Sequence, residues 1–227
     1  MSEVIDVHGD SVAAINAAMA AIAAGECIVL PTDTVYGVGA NALSAPAVRA
    51  LLEAKRRGRD MPPPVLLAEP AMLRSLAGGR LGDAEALAEA FWPGALTLVV
   101  TSHPHLRMDL GDRGDTIALR VPDHAFTREL LRATGPLAVS SANLSGEPAA
   151  CSIHEAQAQL GDSVSVYLDA GACSGPVPST VVDLSGETPR ILREGRISRE
   201  ELATVVPALA AKPEPAVAPE AANAMEG

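Results

Sequence analysis

The chain has 227 residues with 28 acidic and 17 basic side chains, a formal net charge of −11. That balance argues against non-specific binding to nucleic acid or an anionic membrane surface, because phosphate groups are held mainly by Lys and Arg. With 48% hydrophobic and 20% charged residues the composition is globular, and 2% aromatics leave little material for a base-stacking platform. In chain order, Ser11 to Ala24 carries Val12, Ile15, Met19 and Ile22 at helical spacing and ends at Gly25. A short buried strand follows over 27–31, then a helix over 46–55, a strand over 64–68 and helical segments over 70–77 and 82–91. Strands are expected over 95–101, 116–121 and 137–140, with a helix over 125–133 between the last two. A helix over 153–160, extended segments over 164–168, 180–184 and 190–193, and a helix over 198–205 complete the pattern. Strands alternating irregularly with helices predict an α/β fold, a mixed twisted β-sheet covered by helices.

One domain over 10–205 accounts for the periodic segments. From Pro207 to Gly227 prolines and small residues dominate; such a sequence does not build a core, and a disordered tail is expected. No run of about eighteen apolar residues appears, so no spanning helix is expected. The acidic start Met-Ser-Glu-Val-Ile-Asp lacks a signal-peptide pattern. Cys27, Cys151 and Cys173 are odd in number, widely spaced and without a C-x-x-C pair. Together these features point to a soluble protein of a reducing compartment, most simply the cytoplasm.

Five segments carry candidate chemistry. Pro31-Thr-Asp-Thr-Val-Tyr-Gly-Val-Gly39 follows a buried strand and presents hydroxyls, a carboxylate and two glycines where backbone can approach a ligand; alone it reads equally as a polar turn. Lys55-Arg-Arg-Gly-Arg59 is the densest positive run in an acidic chain, suited either to a phosphorylated ligand or to capping a helix dipole. Ser140-Ser-Ala-Asn-Leu-Ser-Gly146 sets hydroxyls and an amide at a strand end. Asp115-Thr-Ile-Ala-Leu-Arg120 places an Arg inside an apolar strand, where it needs an anionic partner from protein or substrate. Pro178-Ser-Thr-Val-Val-Asp183 leads through Gly186 into Arg190-Ile-Leu-Arg193. His103 and His105 lack a third ligand nearby and read as a surface loop. Asp109, Asp112 and Asp115 lack the EF-hand spacing. No Ser-His-Asp arrangement or cysteine nucleophile signature stands out.

Pro-Thr-Asp-Thr-Val-Tyr-Gly, Lys55-Arg-Arg57, Ser-Ser-Ala-Asn-Leu-Ser-Gly, and Ser-Thr-Val-Val-Asp-Leu with Ile-Leu-Arg occur in this order, and over about residues 10 to 200 the chain resembles the YrdC-domain family of threonylcarbamoyl-AMP synthases. The resemblance implies a single YrdC-like domain that makes threonylcarbamoyl-AMP and pyrophosphate from L-threonine, bicarbonate or CO2, and ATP with Mg2+. It implies no organic cofactor and no protein metal site, with Mg2+ carried by the ATP phosphates. A separate tRNA threonylcarbamoyltransferase complex then receives the product for transfer to adenosine beside the anticodon, so tight direct RNA binding is not expected. By resemblance Lys55 and Arg57 are catalytic and contact ATP together with Thr116, Asn143, Cys151 and Arg193. Thr34, Arg120, Ser141 and Ser179 match threonine-binding positions, Arg120 as the partner of the threonine carboxylate.

The chain departs from the family pattern at Gly58 and Met61-Pro-Pro, where Pro and Asn-Pro-Leu are common; Arg59 or backbone would replace the Asn contact. It also reads Pro148-Ala-Ala-Cys151 where Pro-Ser-Pro-Thr is frequent, and it lacks the additional C-terminal domain of longer members. Two other classes compete: an RNA-binding module using the basic loop, opposed by the net charge, and a carbamoyl-transfer accessory domain, opposed by a free-standing chain without metal-binding modules.

Overall fold

A computed structural model describes residues 2–79, 81–112, 114–173 and 175–211. Its strands are β1 (Glu3–Asp6), β2 (Ile28–Leu30), β3 (Gly37–Asn41), β4 (Val65–Leu66), β5 (Leu96–Thr101), β6 (Thr116–Arg120), β7 (Leu137–Ser141), β8 (Val166–Asp169), β9 (Thr180–Asp183) and β10 (Arg190–Arg193). The helices are α1 (Ser11–Ala23), α2 (Ala45–Ala54), α3 (Leu73–Leu76), α4 (Gly82–Phe91), α5 (Ala125–Thr134), α6 (Ile153–Leu160) and α7 (Arg199–Val205). All ten strands form one mixed sheet in the order β1-β8-β2-β3-β7-β4-β6-β5-β9-β10.

Local chemistry sets the helix starts. Asp10, Ser44, Ser152 and Ser198 each accept a backbone N–H from the first turn of the helix that follows, and Ser198 forms a reciprocal capping box with Glu201. The strands alternate between two cores, as side chains of period two must. On β2, Ile28 and Leu30 pack with Ile15 and Ile22 of α1 and Leu130 and Leu131 of α5, while Val29 joins the larger core with Leu51, Leu87 and Leu202. Thus α1 and α5 cover one face and α2, α4, α6 and α7 the other.

On the α1/α5 face the cover stops short. Thr97, Val99, Ala118, Arg120, Val181 and Asp183, from β5, β6 and β9, line an open cleft, whereas their neighbours Leu96, Leu98, Leu119 and Val182 are buried in the larger core. The bare half of the sheet is therefore the floor of the site.

Two strands differ from the sequence expectation. β3 is a glycine-containing strand, not a turn: a Cβ on Gly37 would lie 2.6 Å from Val139 Cγ1, and one on Gly39 would lie 3.0 Å from Val139 Cγ2. Glycine here admits the facing side chain of β7. β1 has only two apolar residues and pairs along the edge with β8. The packed unit also runs past 205: Pro207–Ala210 is a 3-10 turn with Leu209 buried, and Arg199 Nη1 donates to the Leu209 and Ala211 carbonyls. The expected tail from 207 thus begins inside the fold, and its residues 212–227 lie outside those described.

Candidate active site

The cleft has a volume of about 730 Å3, and Thr34, Arg57, Thr116, Arg120, Ser141, Asn143, Ser179 and Arg193 all line it. Eight of the ten residues singled out by resemblance therefore converge, from five separate segments of sequence. Three of them are arginines. Arg57, in the loop after α2, donates from Nη1 to Ser140 Oγ at 2.9 Å and from Nε to the Met61 carbonyl at 2.6 Å. Arg193, at the end of β10, donates to the Ser179 carbonyl at 2.9 Å and to its hydroxyl at 3.2 Å. Ser179 Oγ in turn lies 2.9 Å from Thr97 Oγ1. Both arginines hydrogen-bond to neutral oxygens, so their charges face the cleft without being cancelled by these bonds. Burial holds both guanidinium groups below the usual arginine range; at Arg57, Asp60 opposes this and Arg193 adds to it.

Arg120, on β6, stands in a different environment. Its side chain is 8% exposed and pairs with Asp33 at 2.6 Å. Nη1 also donates to Thr34 Oγ1 at 3.1 Å and Nε to the Gly94 carbonyl at 3.0 Å. The anionic partner that an Arg in an apolar strand requires is thus a protein carboxylate, with the guanidinium still reaching the cleft. Asn143 uses its amide NH2 on the Leu144 and Glu147 carbonyls at 2.7 and 2.8 Å, leaving Oδ1 buried without a partner. Folded proteins rarely leave a buried acceptor without a partner.

Two predicted residues stay out of the cleft lining. Lys55, the C-cap of α2, is buried, and its Nζ donates to the carbonyls of Ser141 and Asn143, the latter at 2.6 Å. Its ammonium holds the β7 exit loop from behind, and burial, reinforced by Arg57, pushes its pKa down to about 8. Cys151 is joined to Cys173 in a disulfide, with Cα atoms 4.9 Å apart and Cys173 N donating to the Cys151 carbonyl at 2.8 Å. The sulfur is engaged there rather than offered to a nucleotide, in a pairing across 22 residues that no local motif marks. Two of the three cysteines being paired, a reducing compartment no longer follows from them. Cys27 is a buried free thiol.

Arg59 also turns away: Nη2 pairs with Asp109 at 2.6 Å and Nε with Asp112 at 2.9 Å, so the acidic loop fastens the basic one. It does not replace the missing Asn, whose place at the cleft is taken by Met61. Asp33, Ser140 and Gly94 also hold the cleft arginines and are not among the residues singled out by resemblance. The first two lie within the motifs that begin at Pro31 and Ser140, and an Arg inside the apolar strand 115–120 is the signal that an acid must lie near.

The family model described as "Telomere recombination", covering Sua5, YciO and YrdC, matches residues 20–195. A Mycobacterium tuberculosis protein provisionally named threonylcarbamoyl-AMP synthase is 52% identical over 192 residues, 85% of this chain and 88% of its own. The threonylcarbamoyl-AMP synthase of Bacillus subtilis is 37% identical over 191 residues, 83% of this chain and 55% of its own. The crystal structure of Pyrococcus abyssi Sua5 complexed with L-threonine superposes with a TM-score of 0.84 at 34% identity, covering 91% of this chain. The chain spans 61% of the length of that archaeal protein. On the extent of the family match and the identity to full-length relatives, the chain belongs to the Sua5/YciO/YrdC family.

Proposed function

We propose that the chain is a nucleotidyltransferase that makes L-threonylcarbamoyl-AMP and pyrophosphate from L-threonine, bicarbonate or CO2, and ATP. This is the first step in placing threonylcarbamoyladenosine next to the anticodon of tRNA. The observation that carries the reading is the meeting of Arg57, Arg120 and Arg193 in one cleft beside the hydroxyls of Thr34, Ser141 and Ser179. The names of the relatives and the threonine-bound archaeal structure support it.

The reaction needs no protein nucleophile. The threonine amine attacks CO2 to form a carbamate; a carbamate oxygen then attacks the α-phosphate, and pyrophosphate leaves. The protein supplies alignment and charge neutralisation. Arg120, Thr34, Ser141 and Ser179 would hold threonine. Arg57 and Arg193 would hold the triphosphate, with Thr116 and Asn143 on the nucleotide, and Lys55 would support this wall from behind. Mg2+ would enter with ATP: the cleft lining holds two acids, Glu147 and Asp183, the latter bound by Ser185 and Arg190, and no group of three or more His, Cys, Asp or Glu among the described residues could hold a metal ion, so phosphate oxygens would be its main ligands. In this reading the reaction takes place in the cytoplasm, with handover of the product to the tRNA threonylcarbamoyltransferase complex.

The test is to incubate the purified chain with ATP, L-threonine, bicarbonate and Mg2+ and to measure pyrophosphate and threonylcarbamoyl-AMP. Threonine-dependent release of both is expected. Pyrophosphate release indifferent to threonine would sink the reading.

A further inference from the structure

Behind Arg120 stands a carboxylate that the proposed reaction does not use. Asp33 lies in the loop after β2, with its side chain 11% exposed and outside the lining of the cleft. Its Oδ1 accepts from Arg120 Nη2 at 2.6 Å. Its backbone carbonyl is gripped at 2.7 Å by Arg196 Nη1, from the loop that follows β10, so Asp33 is itself held in place.

A guanidinium carries five N–H donors in a fixed plane. The bonds to Gly94, Thr34 and Asp33 use one donor on each nitrogen of Arg120. One N–H remains on each terminal nitrogen, and these donors can serve a substrate carboxylate. Their direction is set only while the guanidinium plane is fixed. Of the three anchors Asp33 alone is charged, and it also neutralises a cation that is nearly removed from water.

We propose that Asp33 is a positioning residue for the amino-acid substrate, orienting Arg120 so that its two remaining N–H groups present themselves to the substrate carboxylate. The proposal rests on the reading that Arg120 takes the threonine carboxylate. It confines the effect of Asp33 to one substrate, because Arg57 and Arg193 are anchored elsewhere.

Calorimetric titration of L-threonine and of ATP into the full chain tests this with wild type, Asp33→Ala, Asp33→Asn and Arg120→Ala. Loss of an anchor to a charged group should weaken L-threonine about tenfold or more in Asp33→Ala while ATP affinity stays within about twofold. Asp33→Asn keeps an oxygen in the same place and should recover part of the loss. Unchanged or tighter threonine binding in Asp33→Ala, with Arg120→Ala severely impaired, overturns the role of Asp33 and leaves that of Arg120 standing. Undiminished threonine binding in Arg120→Ala overturns the underlying reading instead. Equal weakening of both ligands, or an Asn variant no better than Ala, also overturns the positioning role. If Asp33→Ala does not fold by circular dichroism, Asp33→Asn carries the test: a threonine-only loss of about two- to fivefold is expected for a charged anchor made neutral, and no loss overturns the proposal.

Discussion

Lys55 shows how a residue type can be legible while its placement is not. A lysine after a helix in a Lys-x-Arg element reads as a phosphate ligand, yet the ammonium sits beneath the cleft and bonds two backbone carbonyls. Removing it should therefore act on stability. Lys55→Met keeps the stem's volume but strands the Ser141 and Asn143 carbonyls, at a cost of about 1–3 kcal/mol in a urea melt at neutral pH. The pH dependence has a definite sign. The folded-state pKa is lowered to about 8, against about 10.4 for an unfolded lysine. Between these values the unfolded chain binds the proton that the folded chain has lost, so this group adds stability as pH rises through that window. The stability difference between wild type and Lys55→Met should accordingly widen between pH 8 and pH 10. A difference independent of pH would show that Lys55 does not titrate in this window.

Between residue and fold lies the hairpin of β9 and β10, whose exit loop after β10 is wedged against Pro178 and Ser179 of the cleft lining. A Cβ on Gly195 would meet the Pro178 carbonyl and lie 2.6 Å from the backbone carbon of Ser179. Backbone does not rotate aside as a side-chain tip does, so Gly195→Ala must displace Ser179 and with it the anchor of Arg193. We expect a loss of about 1–3 kcal/mol of stability by overpacking, with product formation falling far more than in Gly186→Ala. Gly186 lies in the same hairpin and has nothing within 4 Å of the added atom, so that variant should match wild type. Equal activity of the two variants would refute the wedge. The hairpin also marks the limit of sequence reading at this scale. Arg190 to Arg193 was legible as a strand because its apolar residues stand between cations and a turn precedes it. β3 was not, because Gly37-Val-Gly has the composition of a turn and becomes a strand only when Val139 arrives from a distant segment. The Cys151–Cys173 bridge and the Arg59 clasp to Asp109 and Asp112 are likewise long-range pairings that no local pattern specifies.

For the whole molecule, the question is how an acidic chain serves a phosphate-rich substrate. The net charge of −11 is a sum over the full sequence, but the cations that matter are not distributed as a stripe. Arg57 and Arg193 are gathered in a cleft of about 730 Å3, Arg120 is cancelled by Asp33, Arg59 by two aspartates, and Arg128 and Arg132 both pair with Glu69. A small triphosphate can enter the cleft and meet positive charge at close range. A duplex or folded RNA approaching the surface meets an overall repulsive field and several arginines already paired with carboxylates, so it displaces few counterions when it docks. Non-specific RNA binding at 0.15 M salt should therefore be weaker than about 10−4 M, the weak end of the usual range, as read by fluorescence anisotropy with labelled tRNA. Pyrophosphate release should be unchanged when tRNA is added. Tight RNA binding that weakens steeply with salt would mean that the basic loop, despite its clasp to Asp109 and Asp112, is free to act as a phosphate-backbone contact, and the charge argument would fail with it.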